Sequence, residues 1–186
     1  MKVISTAIHL MKLNNRRMMY KLAAPFLLTF LFSRCTADEQ PLKTVAYVDL
    51  KKYAGKWYEI ASFPQTFQRG CAHTTAEYTP TNGGYVIVEN RCDKNGKQAS
   101  VKGKAFVEPN SGNAKLKVQF FWPFRGKYWI IDLANDYSYA VVGHPNRKYL
   151  WILSRTPQMR DEIYQAIVER IRQNGFDDSR LNRTAQ

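Results

Sequence analysis

The sequence predicts an all-β domain, an antiparallel sandwich or barrel, with one amphipathic helix near its C-terminus. Three observations lead there. From Gly55 onward, polar and apolar residues alternate in short runs, as half-buried strands require. Gly, Asn and Pro punctuate those runs at spacings of roughly 8–14 residues. One late segment instead repeats its apolar residues at helical spacing.

Taken in order, Asp49-Leu-Lys-Lys-Tyr53 reads as a single helical turn capped by Asp49. Strands follow near 56–63, 72–79, 85–92, 98–107, 114–121, 127–133, 137–143 and 149–155. Asn82-Gly83-Gly84 and Asn95-Gly96 are hairpin turns, since both pairs accept positive φ. Pro109-Asn-Ser-Gly112 and Pro145-Asn146 mark two more. Thr156 then caps a helix with Pro157 in its first turn. Ile163, Tyr164, Ile167, Val168 and Ile171 share one face, and Gly175 ends it.

Alternation also sorts inside from outside. Lys115 and Lys117 belong in water, so Leu116, Val118 and Phe120 face inward. Val101, Gly103 and Ala105 do the same on the preceding strand, and Glu59, Ala76, Val86 and Val88 follow by parity. Small inward residues (Ala61, Ala76, Gly103, Ala105) leave interior room. In Tyr149-Leu-Trp-Ile-Leu153 both faces are apolar, so one lines the interior and the other receives the helix.

The chain has 186 residues and a formal charge of +13. Its 45% hydrophobic content excludes a wholly disordered chain. Residues 1–35 hold six of the positive charges and no acid, and end in the 11-residue apolar run Leu22–Phe32. That run is too short to span a bilayer, which takes about 20 residues; it fits a secretory signal. Met1, Met11, Met18 and Met19 are alternative starts. Two processing routes fit. Cleavage after Ala37 gives a soluble protein, whereas Phe32-Ser33-Arg34-Cys35 is similar to a bacterial lipobox, in which Cys35 is acylated and anchors the chain. The expected organisation is a signal over 1–35, a polar extended lead-in over 36–48 and one domain over 49–186. Without its first 35 residues the chain keeps +7, assigned to the outer faces of the strands.

Gly55-Lys-Trp57-Tyr58 opens the first strand, Asp136-Tyr137 precedes the seventh, and Arg155 closes the eighth. In this order and spacing they resemble the three conserved stretches of the lipocalins. Lys56–Gly70 and Tyr149–Pro157 resemble the branch holding apolipoprotein D and the bacterial outer-membrane and plant temperature-induced lipocalins. The resemblance spans about residues 47–181. It implies an eight-stranded antiparallel up-and-down β-barrel with one C-terminal amphipathic α-helix packed outside. Trp57 plugs one end, and Arg155 stacks on its indole, so Gly55, Trp57, Tyr58, Asp136, Tyr137 and Arg155 are structural. The resemblance further places Tyr78, Asn90, Phe120, Trp151 and Leu153 around a ligand, joined by Val88, Val118 and Glu59 from the alternation. It implies a fatty acid or lysophospholipid as ligand, an envelope location (outer membrane or periplasm), and a homodimer.

Cys71 and Cys92 flank the Asn82-Gly83 turn at nearly equal distances, so they face each other and, in an exported protein, form a disulfide. The three histidines, His9, His73 and His144, have no evident nucleophile beside them and no metal-site spacing. Neither a catalytic residue nor a metal or other cofactor is expected. The alternative is a lipocalin-fold enzyme acting on a lipid or isoprenoid, with Glu59 as its interior acid. Nucleic acid is not an expected partner, because the alternation turns most aromatics inward, away from Lys102, Lys104, Lys115 and Lys117. Those lysines form an outer stripe suited to an anionic membrane surface.

Overall fold

A computed structural model describes residues 40–186. The expected signal segment, with Cys35 and the alternative starts, lies outside the described residues. The described residues belong to one compact unit.

Eight strands make a closed antiparallel barrel. They are β1 (Gly55–Ser62), β2 (Cys71–Pro80), β3 (Val86–Lys94), β4 (Lys97–Val107), β5 (Lys115–Gln119), β6 (Gly126–Leu133), β7 (Tyr139–Gly143) and β8 (Leu150–Ser154). Each pairs with its sequence neighbour, β8 pairs with β1, and β1 also pairs with β2, which closes the ring. A two-residue strand, β9 (Asn182–Arg183), adds to the upper half of β1. Each expected strand is present. β7 starts two residues late because Tyr137 sits at φ 61 and the Asp136 carboxylate accepts from the Ser138 amide, holding a turn.

The short helix α1 (Leu50–Tyr53) is capped as expected, with Asp49 Oδ1 accepting from the Lys51 and Lys52 amides. The long helix α2 (Asp161–Gln173) starts later than Thr156 suggested. The Thr156 hydroxyl donates to the Gln158 carbonyl in a local turn instead. Asp161 and Glu162 occupy the first helical turn, where negative charge suits the helix dipole. Gly175, at φ 80, ends the helix.

Two cores result. Trp57, Val88, Leu116, Ile130, Val142 and Leu153 are buried inside the barrel. Phe63, Ile131, Val141, Leu150 and Ile152 form a second core outside it with Tyr164, Ile167, Val168 and Ile171 of α2. β8 feeds both, as its two apolar faces required. Ala61 does not face the interior: a bulge between Glu59 and Ala61 turns it toward α2. The space at Gly103 is not spare either, since a Cβ there would lie 2.8 Å from Phe120 Cδ1. Within the lead-in, residues 40–48 are docked rather than merely polar. Leu42 joins the outer core and Val48 the inner one, and the Val48 amide donates to Gly112 O. Gly112 must lack a side chain, because a Cβ would stand 2.0 Å from Ala46 O. Among the described residues, both buried cores fall within residues 42–176 and so within the segment 38–186.

Cys71 and Cys92 are bonded, with Cα atoms 5.5 Å apart. The register differs from the expected one: Cys71 pairs with Lys94, so the bridge is diagonal. The cause is the β2–β3 turn, a wider loop closed by the Thr81 amide donating to Tyr85 O, together with a bulge between Ala72 and Thr75. In the loop-entropy account, a bridge over this separation of 21 residues stabilises by about 3 kcal/mol.

Candidate ligand cavity

The closed end is a cross-braced plug. Trp57 is fully buried, and its Nε1–H donates to Tyr53 O at 2.9 Å. The Arg155 guanidinium lies 3.8 Å from the Trp57 ring centroid. It also donates to Lys56 O (2.9 Å) and Lys52 O (2.7 Å). One cation therefore stacks on the plug and ties β1 to α1. Gly55, at φ 90, lies where a Cβ would come within 3.6 Å of that guanidinium. The Tyr137 hydroxyl accepts from the Asp49 amide, which fixes α1 over the end. Asp136 only shapes its turn, and the bonds from Ser138 hold its carboxyl below the usual carboxylate range. Tyr58 points outward beneath Lys56, whose Nζ is 4.6 Å from its ring centroid.

Above the plug the barrel holds an open cavity of about 470 Å³, within the range of small-molecule sites. The eight residues named as a ligand site line it: Tyr78, Val88 and Asn90 from β2 and β3, Val118 and Phe120 around β5, Trp151 and Leu153 from β8, and Glu59 from β1.

The floor is polar in one place. The Tyr128 hydroxyl lies 2.8 Å from both the Tyr53 and the Tyr78 hydroxyls. Burial holds all three protonated, with Tyr78 pushed up to about 12 and Tyr53 and Tyr128 raised well above the ordinary value. Three O–H protons share two hydrogen bonds, so one proton is left over. Either direction of donation fits these distances, and Tyr78 and Tyr128 line the cavity.

One wall carries a buried carboxylate. Glu59 Oε1 accepts from the Ser62 hydroxyl (2.8 Å) and the Thr184 hydroxyl (2.7 Å), and Oε2 accepts from Gln68 Nε2 (2.8 Å). Gln68 Oε1 in turn accepts from Trp151 Nε1 at 3.3 Å. Both carboxyl oxygens are thus engaged by the protein, which suits a structural role better than proton transfer to a ligand. His73 pairs with Asp93 outside the cavity, while His144 sits at the rim and accepts from the Asn146 amide. Among the described residues, no three His, Cys, Asp or Glu side chains converge on a possible metal position.

Sequence reading missed two contributors. Tyr128 was accessible to it, because Lys127 and Trp129 flank it on the opposite parity. Gln68 was not, since no periodicity governs a loop residue. The rim adds Phe67, Phe121, Phe124 and Tyr149, with Arg125 and Lys127 beside them.

Residues 48–186 match the lipocalin-like domain family. Temperature-induced lipocalin-1 of Arabidopsis thaliana is 40% identical over 158 residues, spanning 80% of this chain and 85% of that protein. Outer membrane lipoprotein Blc of Vibrio cholerae is 39% identical over 158 residues, spanning 83% of this chain and 92% of that protein. Insecticyanin from the tobacco hornworm Manduca sexta shares the fold, with a TM-score of 0.64 at 22% identity over 78% of this chain and 84% of that one. A closed barrel plugged by Trp57 beneath Arg155, an outer helix and these relatives lead to one assignment: the chain belongs to the lipocalin family.

Proposed function

We propose that this lipocalin binds fatty acids or lysophospholipids and stores or carries them in the cell envelope, serving membrane maintenance under stress. The observation that carries the reading is the cavity: a mainly apolar space of about 470 Å³, with a few polar groups, among them the Tyr78–Tyr128 floor, Asn90, the Glu59 wall and the basic rim. Apolar walls hold chain and scattered polar groups fix orientation. The basic, acid-free first 35 residues and the similarity to an outer membrane lipoprotein support export. The protein is then either anchored in the outer membrane through acylated Cys35 or free in the periplasm after cleavage past Ala37. Glu59, with both oxygens occupied, argues for a binding protein over an enzyme acting on a lipid.

The test is titration of delipidated protein with a lysophospholipid and with a fatty acid, reading tryptophan fluorescence, with Trp151→Phe as the control for the cavity signal. A saturable change at micromolar ligand that the control loses is expected. No saturable change with either ligand rejects the proposal.

A further inference from the structure

Among the described residues, six large hydrophobic side chains are strongly exposed: Tyr47, Phe67, Phe121, Trp122, Phe124 and Tyr149. All but Tyr47 lie in loops at the cavity's open end. Three are nearly consecutive in the β5–β6 loop, where Phe121 is 71%, Trp122 86% and Phe124 76% exposed. The Phe124 amide donates to Phe121 O, so the loop is a closed turn with Trp122 near its tip. Contiguous exposed aromatics of this kind mark an interaction surface.

Charge selects the partner. The four open-end segments, 63–70, 94–97, 120–126 and 144–149, contain six Lys or Arg and no Asp or Glu. Lys127 extends the set at the rim. His144 adds no further charge at neutral pH, because burial holds it below the ordinary histidine value. At the closed end the three hairpin loops, 81–85, 108–114 and 134–138, carry Glu108 and Asp136 and no Lys or Arg, and α1 sets Lys51 and Lys52 beside Asp49. The lysine stripe that the sequence offered as a membrane face is largely matched: Lys102 pairs with Glu89 and Lys117 with Glu108. Lys115 and Lys104 lie over the Trp129 and Tyr85 rings.

We propose that the open end docks on an anionic lipid bilayer, with Phe121, Trp122 and Phe124 entering the headgroup region and Arg69, Lys94, Lys97, Arg125 and Lys148 meeting lipid phosphates. Aromatic side chains favour that depth, and each surface cation adds to the attraction. Phe121 and Phe124 also line the cavity, so docking sets the mouth of the barrel against lipid. The surface does not depend on which ligand the cavity takes.

The test uses residues 38–186, which lack Cys35 and any acyl anchor, with vesicles of phosphatidylcholine alone or equimolar with phosphatidylglycerol. Co-sedimentation with the anionic vesicles is expected, weakening with added salt, and Trp122 becomes shielded from acrylamide on binding. Trp122→Ser should weaken partitioning about tenfold or more, the effect of withdrawing one large apolar side chain from lipid. Arg125→Gln and Lys148→Gln should each weaken it about fivefold. Trp122 does not line the cavity, so Trp122→Ser keeps the ligand-induced fluorescence change. That arm separates failure of docking from failure of the proposed ligand. Absence of binding to anionic vesicles, or binding that Trp122→Ser leaves unchanged, overturns the proposal. Concentration-dependent self-association abolished by Trp122→Ser also overturns it, because the loop would then join two copies of the chain.

Discussion

The hydroxyl chain beneath the cavity makes a prediction about which tyrosine matters. Tyr128 bonds both neighbours, whereas among the described residues the Tyr53 and Tyr78 hydroxyls each bond only Tyr128. Tyr53→Phe or Tyr78→Phe removes one hydrogen bond and leaves the other pair intact, a cost of about 1 kcal/mol. Tyr128→Phe removes both bonds and leaves two buried hydroxyls without that partner, at about 1–3 kcal/mol each. The triple Phe variant leaves no orphan and should cost less than Tyr128→Phe alone, a sign of strong coupling. Urea unfolding at constant m-value measures all four. A second arm uses pH. Above pH 10 the unfolded tyrosines ionise while the buried ones keep their protons, so the native state binds more protons and stability falls as pH rises. For Tyr78, held at about 12, the loss between pH 10 and 12 is about 2 kcal/mol, and Tyr53 and Tyr128 steepen it. The triple Phe variant should lose this part of the decline and keep the part due to Tyr139 and Tyr164, which burial also raises. Equal costs for Tyr128→Phe and Tyr53→Phe, or an unchanged alkaline decline in the triple variant, would refute the reasoning.

Two further outcomes follow from the two ends of the barrel. Arg155→Ala removes a cation–π contact of about 1 kcal/mol and the charged hydrogen bonds to the carbonyls of Lys52, Lys56 and Tyr137, for a total of about 2–3 kcal/mol; urea unfolding should show that loss, with the ligand dissociation constant of the folded variant unchanged. In a series of saturated fatty acids, affinity should rise about fourfold per methylene, from about 0.8 kcal/mol each, and level off once the cavity is filled, which isothermal titration would show as a break at one chain length.

What the sequence reveals of this structure is what local rules govern. Strand parity needs only a neighbour's polarity, so Phe120 and Val118 could be placed inside, and the two apolar faces of 149–153 pointed to a helix outside. Parity fails where the strand itself is irregular, as at the Glu59/Ala61 bulge that turns Ala61 outward. Thr156 has the right residue type for a helix cap, but its hydroxyl serves a local turn, and nothing in its neighbours' polarity decides between the two. The cysteine pairing could be anticipated while its register could not, because a wider turn and a bulge move the strands past each other without parting the thiols. Gln68 lies beyond sequence reading altogether. Its bonds to Glu59 and Trp151 join a loop to β1 and β8, and such a contact exists only in the folded barrel.

The net charge of the domain illustrates the same boundary and bears on mechanism. Sequence arithmetic assigned +7 to the outer faces of the strands, yet there Glu89 and Glu108 meet Lys102 and Lys117. Much of the excess stands instead around the open end, in loops without a single acid. The opposite end is closed by Trp57, Arg155 and α1, so ligand traffic passes through the charged mouth. The attraction acts over a Debye length of about 8 Å at physiological salt, enough to reach a headgroup before contact. A lipid leaving a bilayer through water exposes its chain at about 0.8 kcal/mol per methylene, on the order of 10 kcal/mol for a long acyl chain. A mouth seated on the bilayer avoids most of that exposure, because the chain slides from lipid past Phe121 and Phe124 into an apolar wall. In this arrangement, the rim's aromatics and cations act chiefly on the rate of transfer and the cavity wall on its equilibrium.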